Sequence, residues 1–229
     1  GNLEGSYEID TLRLLTVAFG MYGSNSKNYG DGFTTMYGAN HEDIAYSYRT
    51  GNHGDGSWYS INGNIDYQRT SRKNKQRMIT FSYKINTQPQ TSNSNTGYED
   101  IHAKEEVDDL VKRLLLKNSQ SDGKTNTMEQ TFQVDYTTPI GELHTVEAGA
   151  KYIFRRNTSD NKLYEAAGGS DDYLYNEDRS SDYRHLNHIL AAYLGYTLKY
   201  KDFTFKPGVR YEQTVQRVKY IVGPGENFH

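Results

Sequence analysis

Histidine is the side chain in this sequence best suited to binding a metal or transferring a proton, and the chain has seven of them. His41 and His53 fall in one connecting segment near acidic residues, whereas His185 and His188 flank the start of a predicted strand. A separation of three residues on a strand places two side chains on opposite faces. No pair has helical i, i+4 spacing or lies in an H-E-x-x-H motif. We interpret these histidines as surface or rim residues and expect no metal and no cofactor.

Other chemistry-bearing groups give no enzymatic signature. The segments Gly30-Asp-Gly32, Gly54-Asp-Gly56 and Gly169-Ser-Asp-Asp172 could suggest calcium loops, but such a loop needs several oxygen ligands at fixed steps and a closing carboxylate. Asp among Gly and Ser is ordinary turn chemistry. Serine, histidine and aspartate occur without a G-x-S-x-G nucleophile motif. Cysteine is absent, which excludes thiolate catalysis. We predict that the protein is not an enzyme.

Polar and charged residues alternate with apolar ones over several segments. One row of them is expected to share a face: Asn62, Asn64, Asp66, Gln68, Lys84, Glu147, Lys151, Arg210 and Glu212. A catalytic pair would need an acid and a base held in a dry pocket. Mixed charges along strands are more typical of a solvated wall. We therefore predict that this row faces a wet lumen.

Aromatic residues are abundant, with 21 Tyr against 8 Phe and 1 Trp. Several lie in or beside the long connecting segments and are candidates for stacking on a sugar, peptide or metal complex: Tyr29, Tyr37, Tyr46, Tyr48, Trp58, Tyr173 and Tyr175. Tyr22 lies close to them in the sequence. The favoured alternative is that these rings pack within loops or form the aromatic girdle that anchors a barrel at the lipid interface.

Strands must position these residues, because alternation with a period of two dominates the chain. Tyr59, Ile61, Ile65 and Tyr67 alternate with polar residues, and similar patterns cover 79–85, 128–136, 146–154 and 203–211. The segments 12–22 and 189–200 are apolar on both faces and are also predicted strands. Strands of about a dozen residues exceed the five or six usual in globular sheets, and about 9–11 residues cross a membrane.

The connections between the predicted strands alternate in length. Short links at 72–75, 138–142 and 201–202 alternate with long ones at about 23–56, 88–126 and 157–182. This order predicts an all-β, antiparallel up-and-down meander of about seven long strands, with every long loop at one end. Short periplasmic turns and long extracellular loops are typical of outer-membrane barrels. We expect residues 1–229 to form a single segment of a large transmembrane β-barrel.

Local features refine this prediction. The apolar spacing over 104–117 predicts one short helix in a long loop, and 43–50 continues a strand pattern. Pro207 interrupts a predicted strand and deletes a ladder donor, which suggests a bulge. The net charge of -3 provides no basic field for nucleic acid. The sequence contains no apolar run of the roughly 18 residues that a membrane-spanning helix requires.

Four segments carry a family resemblance: Tyr7-Glu-Ile-Asp10, a predicted turn, with Thr131-Phe-Gln-Val-Asp-Tyr-Thr-Thr-Pro-Ile-Gly141, Glu147-Ala-Gly-Ala-Lys-Tyr-Ile-Phe154 and Pro207-Gly-Val-Arg-Tyr-Glu212. Their order resembles the barrel of TonB-dependent receptors of Gram-negative bacteria, in the subgroup with an outer membrane protein β-barrel domain. The resemblance implies a closed barrel of about 22 strands around an N-terminal plug. The plug and the remaining strands are absent here, so we expect an internal part of that barrel.

The resemblance also implies a function and partners. A receptor of this kind lies in the outer membrane and imports a scarce or bulky solute, such as an iron complex, a vitamin or a glycan. Its partners are the membrane lipid, its own plug, the TonB energy-coupling protein and the solute. The isolated segment is expected to self-associate through its unpaired strand edges. The alternative is a secreted or periplasmic all-β carbohydrate-binding module, in which Tyr59, Ile61, Ile65 and Tyr67 would fill a closed two-layer core.

Overall fold

Ten strands and one short helical segment make up the computed structural model, which describes residues 1–39, 43–223 and 225–228. His41 lies outside these described residues. The strands are β1 (Asn2–Asp10), β2 (Arg13–Tyr37), β3 (Ile44–Thr70), β4 (Met78–Ala103), β5 (Lys117–Ile140), β6 (His144–Ala167), β7 (Leu174–Tyr175), β8 (Ser181–Tyr200), β9 (Phe203–Phe205) and β10 (Gly208–Val222).

All described strands belong to one antiparallel sheet, which follows the order β1-β2-β3-β4-β5-β6-β8-β10. The two short strands attach at the side of this path, β7 to β6 and β9 to β8. Each long strand pairs with the next long strand along the chain, so the predicted up-and-down meander is confirmed. The sheet is open, and β1 and β10 each have one edge unpaired by another long strand.

The path contains eight long strands, one more than the seven expected, because the sequence prediction missed β1. The segment predicted as a turn, 7–10, is the last part of β1, where Tyr7 lies opposite Leu15. The turn itself lies at Thr11 and Leu12. Asp10 stabilises it by accepting hydrogen bonds from the Leu12 backbone N–H at 2.9 Å and from the Arg13 Nε–H at 2.7 Å. These hydrogen bonds and the guanidinium charge hold the pKa of Asp10 below its usual range.

The three segments predicted as long loops, 23–56, 88–126 and 157–182, are mostly paired strand, so their description as loops was wrong. The ladder continues from Gly23 opposite Tyr59 to Met36 opposite Tyr46. Polar side chains bond across these extensions: the Ser57 and Thr91 hydroxyls lie 2.8 Å apart. Such cross-strand pairs stabilise a sheet without apolar side chains. Among the described residues, the longest segment outside the strands lies at 104–116, and the connection at 168–180 contains only the two-residue strand β7.

The predicted helix exists but is shorter than 104–117. It consists of one α-helical turn, α1 (Asp108–Leu110), which continues as a π-helical turn over Val111–Leu115. Lys112 pairs with Asp108 at 2.9 Å, an i, i+4 ion pair. Of the apolar side chains in this helical segment, only that of Val111 is buried, at 1% exposure. No helix among the described residues is long and apolar enough to cross a membrane.

Pro207 does not produce the predicted bulge. Leu198 lies opposite Phe205, and Gly195 lies opposite Gly208. Two residues separate these pairs on each strand, so neither strand has the extra residue that a bulge requires. The Tyr196 N–H still donates to the Pro207 carbonyl at 3.0 Å. The proline ring only removes the return hydrogen bond, which divides what would be one strand into β9 and β10.

The sheet is a single layer and has no compact hydrophobic core among its described residues. The buried hydrophobic residues are few and scattered: Val111, Leu116, Ala166, Ala191 and Val218. Ile65, which a two-layer binding module would bury, is 46% exposed. The folded strands therefore leave their apolar side chains available to another apolar medium.

One close contact fixes the middle of the sheet. Tyr193 lies opposite Gly149, and its ring covers the glycine: a Cβ on Gly149 would lie 2.4 Å from the ring. The hydroxyl of Tyr193 donates a hydrogen bond to Asp135 on β5, which also accepts one from Gln133 at 2.8 Å. Tyr193 on β8 thus reaches over β6 to β5 only because Gly149 has no side chain.

We predict that Gly149→Ala destabilises the folded protein by about 1–3 kcal/mol, the usual cost of overpacking a filled site. The Tyr193 ring must move and its bond to Asp135 is lost. Gly195→Ala is the matched control, because an added Cβ there meets no atom closer than 3.6 Å. Urea unfolding of the full-length protein in detergent measures both variants. Equal unfolding midpoints would contradict the packing role of Gly149.

Candidate functional site

The register of the sheet separates two faces of opposite character. Residues paired directly across strands share a face, and the next residue along each strand points to the other. The apolar face carries the row Val17, Ile65, Tyr83, Phe132, Tyr152 and Leu190, which lie opposite one another in sequence across six strands. The polar face carries the intervening positions. These two faces are the only extensive surfaces of the sheet.

The apolar face has a wide band without charge. On β3 no charged side chain occurs on this face between Asp55 and Arg69. The run from Ser57 to Tyr67 spans about 34 Å along the strand, which at a tilt of about 40° corresponds to a height of about 26 Å. A lipid-facing apolar band is about 25 Å tall. Phe81 and Phe132 in this band are each 48% exposed.

The band crosses the pairing rows at an angle. Tyr67 on β3 lies level with Ala192 on β8 through the intervening pairs. From that level the apolar residues of β3 continue toward the long strand extensions as far as Tyr59. Those of β8 continue mostly in the other direction, toward the tight turns, as far as Tyr200. Strands in a barrel tilt by about 35–45° from its axis. In a tilted sheet, residues at one membrane depth shift along each successive strand relative to the paired rows. The apolar band shows this shift.

The nine residues predicted to face the lumen all lie on the polar face. Asn64 pairs with Lys84, Gln133 pairs with Lys151, and the same register places the others on that side. Across β8, Arg210 lies opposite Tyr193 and Glu212 opposite Ala191, which also belong to this face. The structure thus brings the whole predicted row together on one surface. Its exposure to a lumen remains a prediction.

Several charges on the polar face are paired within the sheet. Arg155 and Glu129 lie 2.5 Å apart, and Arg210 and Glu212 lie 2.6 Å apart. Asp66 accepts a hydrogen bond from Asn64. Two lysines lie in a shallow depression of this face beside Asn62, Asn86, Glu129 and Gln133. These are Lys84 and Lys151, and neither has a carboxylate partner within 4 Å among the described residues.

Three tyrosines form a group at the outer end of the polar face, which we name the outer tyrosine cluster: Tyr46, Tyr48 and Tyr98. The rings of Tyr46 and Tyr48 are stacked with centroids 6.2 Å apart, and Tyr98 meets Tyr48 edge-on at 5.5 Å. Tyr98 was not among the predicted aromatics. The alternation that would have revealed it, at 92, 94, 96 and 98, consists otherwise of Ser and Thr.

The remaining predicted aromatics do not join this cluster. Trp58 packs edge-on against Tyr22, also on the polar face, with centroids 5.7 Å apart, but ten residues separate it from Tyr48, about 33 Å along a strand. Tyr29 lies on the apolar face against His53 at 4.6 Å. Tyr37 is exposed at the end of β2. The seven candidates therefore do not form one site.

Tyr173 and Tyr175 lie in and beside the connection between β6 and β8. Tyr175 packs against Tyr164 with centroids 5.5 Å apart. Burial, and then the nearby Asp171 carboxylate, raise the pKa of Tyr173 above its usual value. These two rings stabilise the connection and lie apart from the outer tyrosine cluster.

The histidines separate as the strand pattern predicts. Phe154 lies opposite His188 on the apolar face, and the Tyr152 hydroxyl lies 2.7 Å from His188 Nδ1. His185 lies opposite Asn157 on the polar face. Within the described ranges, no group of three or more His, Asp or Glu side chains is arranged to hold a metal ion.

The geometry defines a class of protein: a wall of tilted antiparallel strands with a lipid-compatible outer face and a polar inner face. A family model described as the outer membrane protein beta-barrel family matches residues 69–227. Because this match covers more than half of the sequence, the chain belongs to that family. It is accordingly a protein of the outer membrane.

Solved structures add one comparison. The unliganded ferric citrate transporter FecA matches with 13% sequence identity and a TM-score of 0.32, over 96% of this chain. The match spans 38% of the FecA chain. No curated protein matches the sequence significantly.

The two faces give a direct mutational test. We predict that Phe81→Lys lowers the stability of the membrane-inserted protein by about 1–2 kcal/mol, because Phe81 lies opposite Tyr67 in the lower part of the band, where a lysine costs less than at the bilayer midplane. Thr80→Lys is the control, because Thr80 is the preceding residue, faces the other side and lies opposite Asp135. The folded fraction of the full-length protein on an unheated gel measures the effect. Similar losses in both variants would disprove the lipid-facing assignment of Phe81.

Proposed function

We propose that this chain forms part of the barrel of a TonB-dependent receptor that imports a scarce or bulky solute across the outer membrane. The observation that carries the proposal is the two-faced wall, combined with tight turns at one end and long polar extensions at the other. A passive structural barrel would not need such extensions. They provide a surface beyond the membrane on which a solute can be captured.

The polar face is the proposed lumen wall. Its paired charges, Arg155 with Glu129 and Arg210 with Glu212, suit a surface that stays wet and holds its shape. Lys84 and Lys151 have no carboxylate partner among the described residues, and they lie at the centre of this wall. A cation without a partner favours contact with acidic groups supplied from elsewhere. We assign that contact to the plug of the full-length receptor.

The outer tyrosine cluster is the proposed first contact of the solute. Tyrosine combines a flat apolar ring with a hydroxyl that forms hydrogen bonds, so it can bind a sugar ring or the aromatic part of a metal chelate. The cluster lies on the lumen side of the extensions, above the proposed plug. Solute held there enters the barrel without crossing the wall.

The proposed mechanism involves no covalent chemistry by these residues. The extensions capture the solute, the plug rearranges under force transmitted by the TonB protein, and the solute then passes along the polar face. The barrel wall contributes rigidity, because every strand is paired along most of its length. The solute class is an iron complex, a vitamin or a glycan.

The alternative, a secreted carbohydrate-binding module, is less favoured. It requires Tyr59, Ile61, Ile65 and Tyr67 inside a closed core, whereas the sheet has a single layer and Ile65 is 46% exposed. Fractionation of cells that produce the full-length protein separates the two proposals. A heat-modifiable band in the outer-membrane fraction supports the receptor, and a soluble protein with the same mobility before and after heating supports the module.

We predict that Tyr48→Ala reduces solute uptake through the full-length protein about two- to tenfold at limiting solute, because Tyr48 contacts both other rings of the cluster and one aromatic contact is worth roughly 0.5–1.5 kcal/mol. The measurement is uptake by cells lacking the native gene, supplied with an iron chelate, cobalamin or an oligosaccharide. Tyr29→Ala is the matched control, because Tyr29 lies in the same extension on the opposite face. If both variants take up the active solute at the wild-type rate, the capture role of the cluster is wrong.

A further inference from the structure

Four cations lie together on the apolar face, immediately above its charge-free band. They are Arg156 on β6, Arg184 on β8, and Arg217 and Lys219 on β10, and we name them the outer basic patch. All four side chains are exposed. Unlike the charges of the polar face, they point to the side of the sheet that faces lipid.

The register brings the four cations close together. Arg156 and Arg217 both lie opposite Leu186, which places them on one row. The next row contains Arg184, with Lys219 directly opposite. Rows two residues apart are about 7 Å from each other and two strand spacings measure about 10 Å. The patch is therefore the size of one or two phosphate groups.

No carboxylate neutralises the outer basic patch. None of the four cations has an ion pair or hydrogen bond among the described residues, and neither of their rows contains an acidic residue. The nearest acids on this face, Asp160 and Asp182, lie one row higher on β6 and β8. Asp160 pairs with Lys162 at 3.7 Å. Four unpaired cations at such spacing repel one another unless an anion joins them.

The patch is continuous with the lipid-facing band below it. His188, hydrogen-bonded to Tyr152 at 2.7 Å, lies directly beneath Leu186 and packs against Phe154 at 5.1 Å. Tyrosine at the end of an apolar band is typical of a membrane interface. A ligand of the patch therefore has its anionic part beside the cations and an apolar part beside these rings.

We propose that the outer basic patch binds the phosphorylated headgroup of an outer-leaflet glycolipid, with its acyl chains lying along the apolar band. Arginine supplies paired donors that match phosphate oxygens. The inference rests on the orientation in the proposed function, which puts the tight turns on the periplasmic side. A soluble anion would gain nothing from the adjacent apolar band, so the geometry favours a lipid.

The test uses the full-length protein in detergent, with lipid A carrying both phosphates as the probe and native mass spectrometry as the readout. We expect wild-type protein to retain this lipid about tenfold more strongly than dephosphorylated lipid A. The double variant Arg184→Gln, Lys219→Gln is expected to lose that preference. The single variant Arg184→Lys keeps the positive charge and is expected to retain most of the preference for phosphorylated lipid A.

The control is the double variant Lys199→Gln, Lys201→Gln, which removes the same charge at the opposite end of β8 and in the turn that follows it. It is expected to bind lipid A like wild type. Equal loss in the control, equal retention of dephosphorylated lipid A, or full displacement of the lipid by inorganic phosphate would each overturn the proposal. The assay contains no transported solute, so its failure leaves the receptor proposal intact. If the uptake test disproves the receptor proposal, lipid binding can still be measured in this assay.

Discussion

Every backbone N–H and C=O inside a membrane must find a partner within the protein, because lipid offers none. This chain satisfies the requirement with continuous ladders between neighbouring strands, and the other features of the structure depend on them. The ladders force side chains to alternate between two faces, so a mostly polar sequence still presents a charge-free band on one side. They also make each strand depend on its neighbours, which explains how the sheet persists without a compact core.

The same ladders link the membrane position to the functional surfaces. Tilt displaces the apolar band from strand to strand, and the charged residues that end it lie at different sequence positions on each strand. Arg69 ends the band below on β3, whereas Arg184 ends it above on β8. Gly149 and Tyr193 show how closely the inner face is packed where a side chain must reach across a neighbouring strand. The pairing between strands therefore determines both the stability of the sheet and the position of its functional surfaces.

The sequence-based errors have one physical source. Strands were recognised where apolar residues alternate with polar ones, so the extensions rich in Ser, Thr and Asn were taken for loops. Their stability comes from hydrogen bonds to another extension, such as Thr96 to Asn52 at 2.9 Å, and no local pattern encodes them. β1 was missed because it is short and polar at several positions. Pro207 lacks a bulge because the opposing strand spaces its residues equally.

The sequence by itself determined the class of fold, the meander and the two faces, including the common face of the nine polar residues, because period-two alternation and turn length are local properties. Only the tertiary structure decided which residues meet. Tyr98 joins Tyr46 and Tyr48, while Tyr29 faces away. Arg156 lies on the same row as Arg217 and one row from Arg184 and Lys219. These groupings depend on the register between strands far apart in the sequence. Register is set by the whole length of each ladder, which no single segment contains.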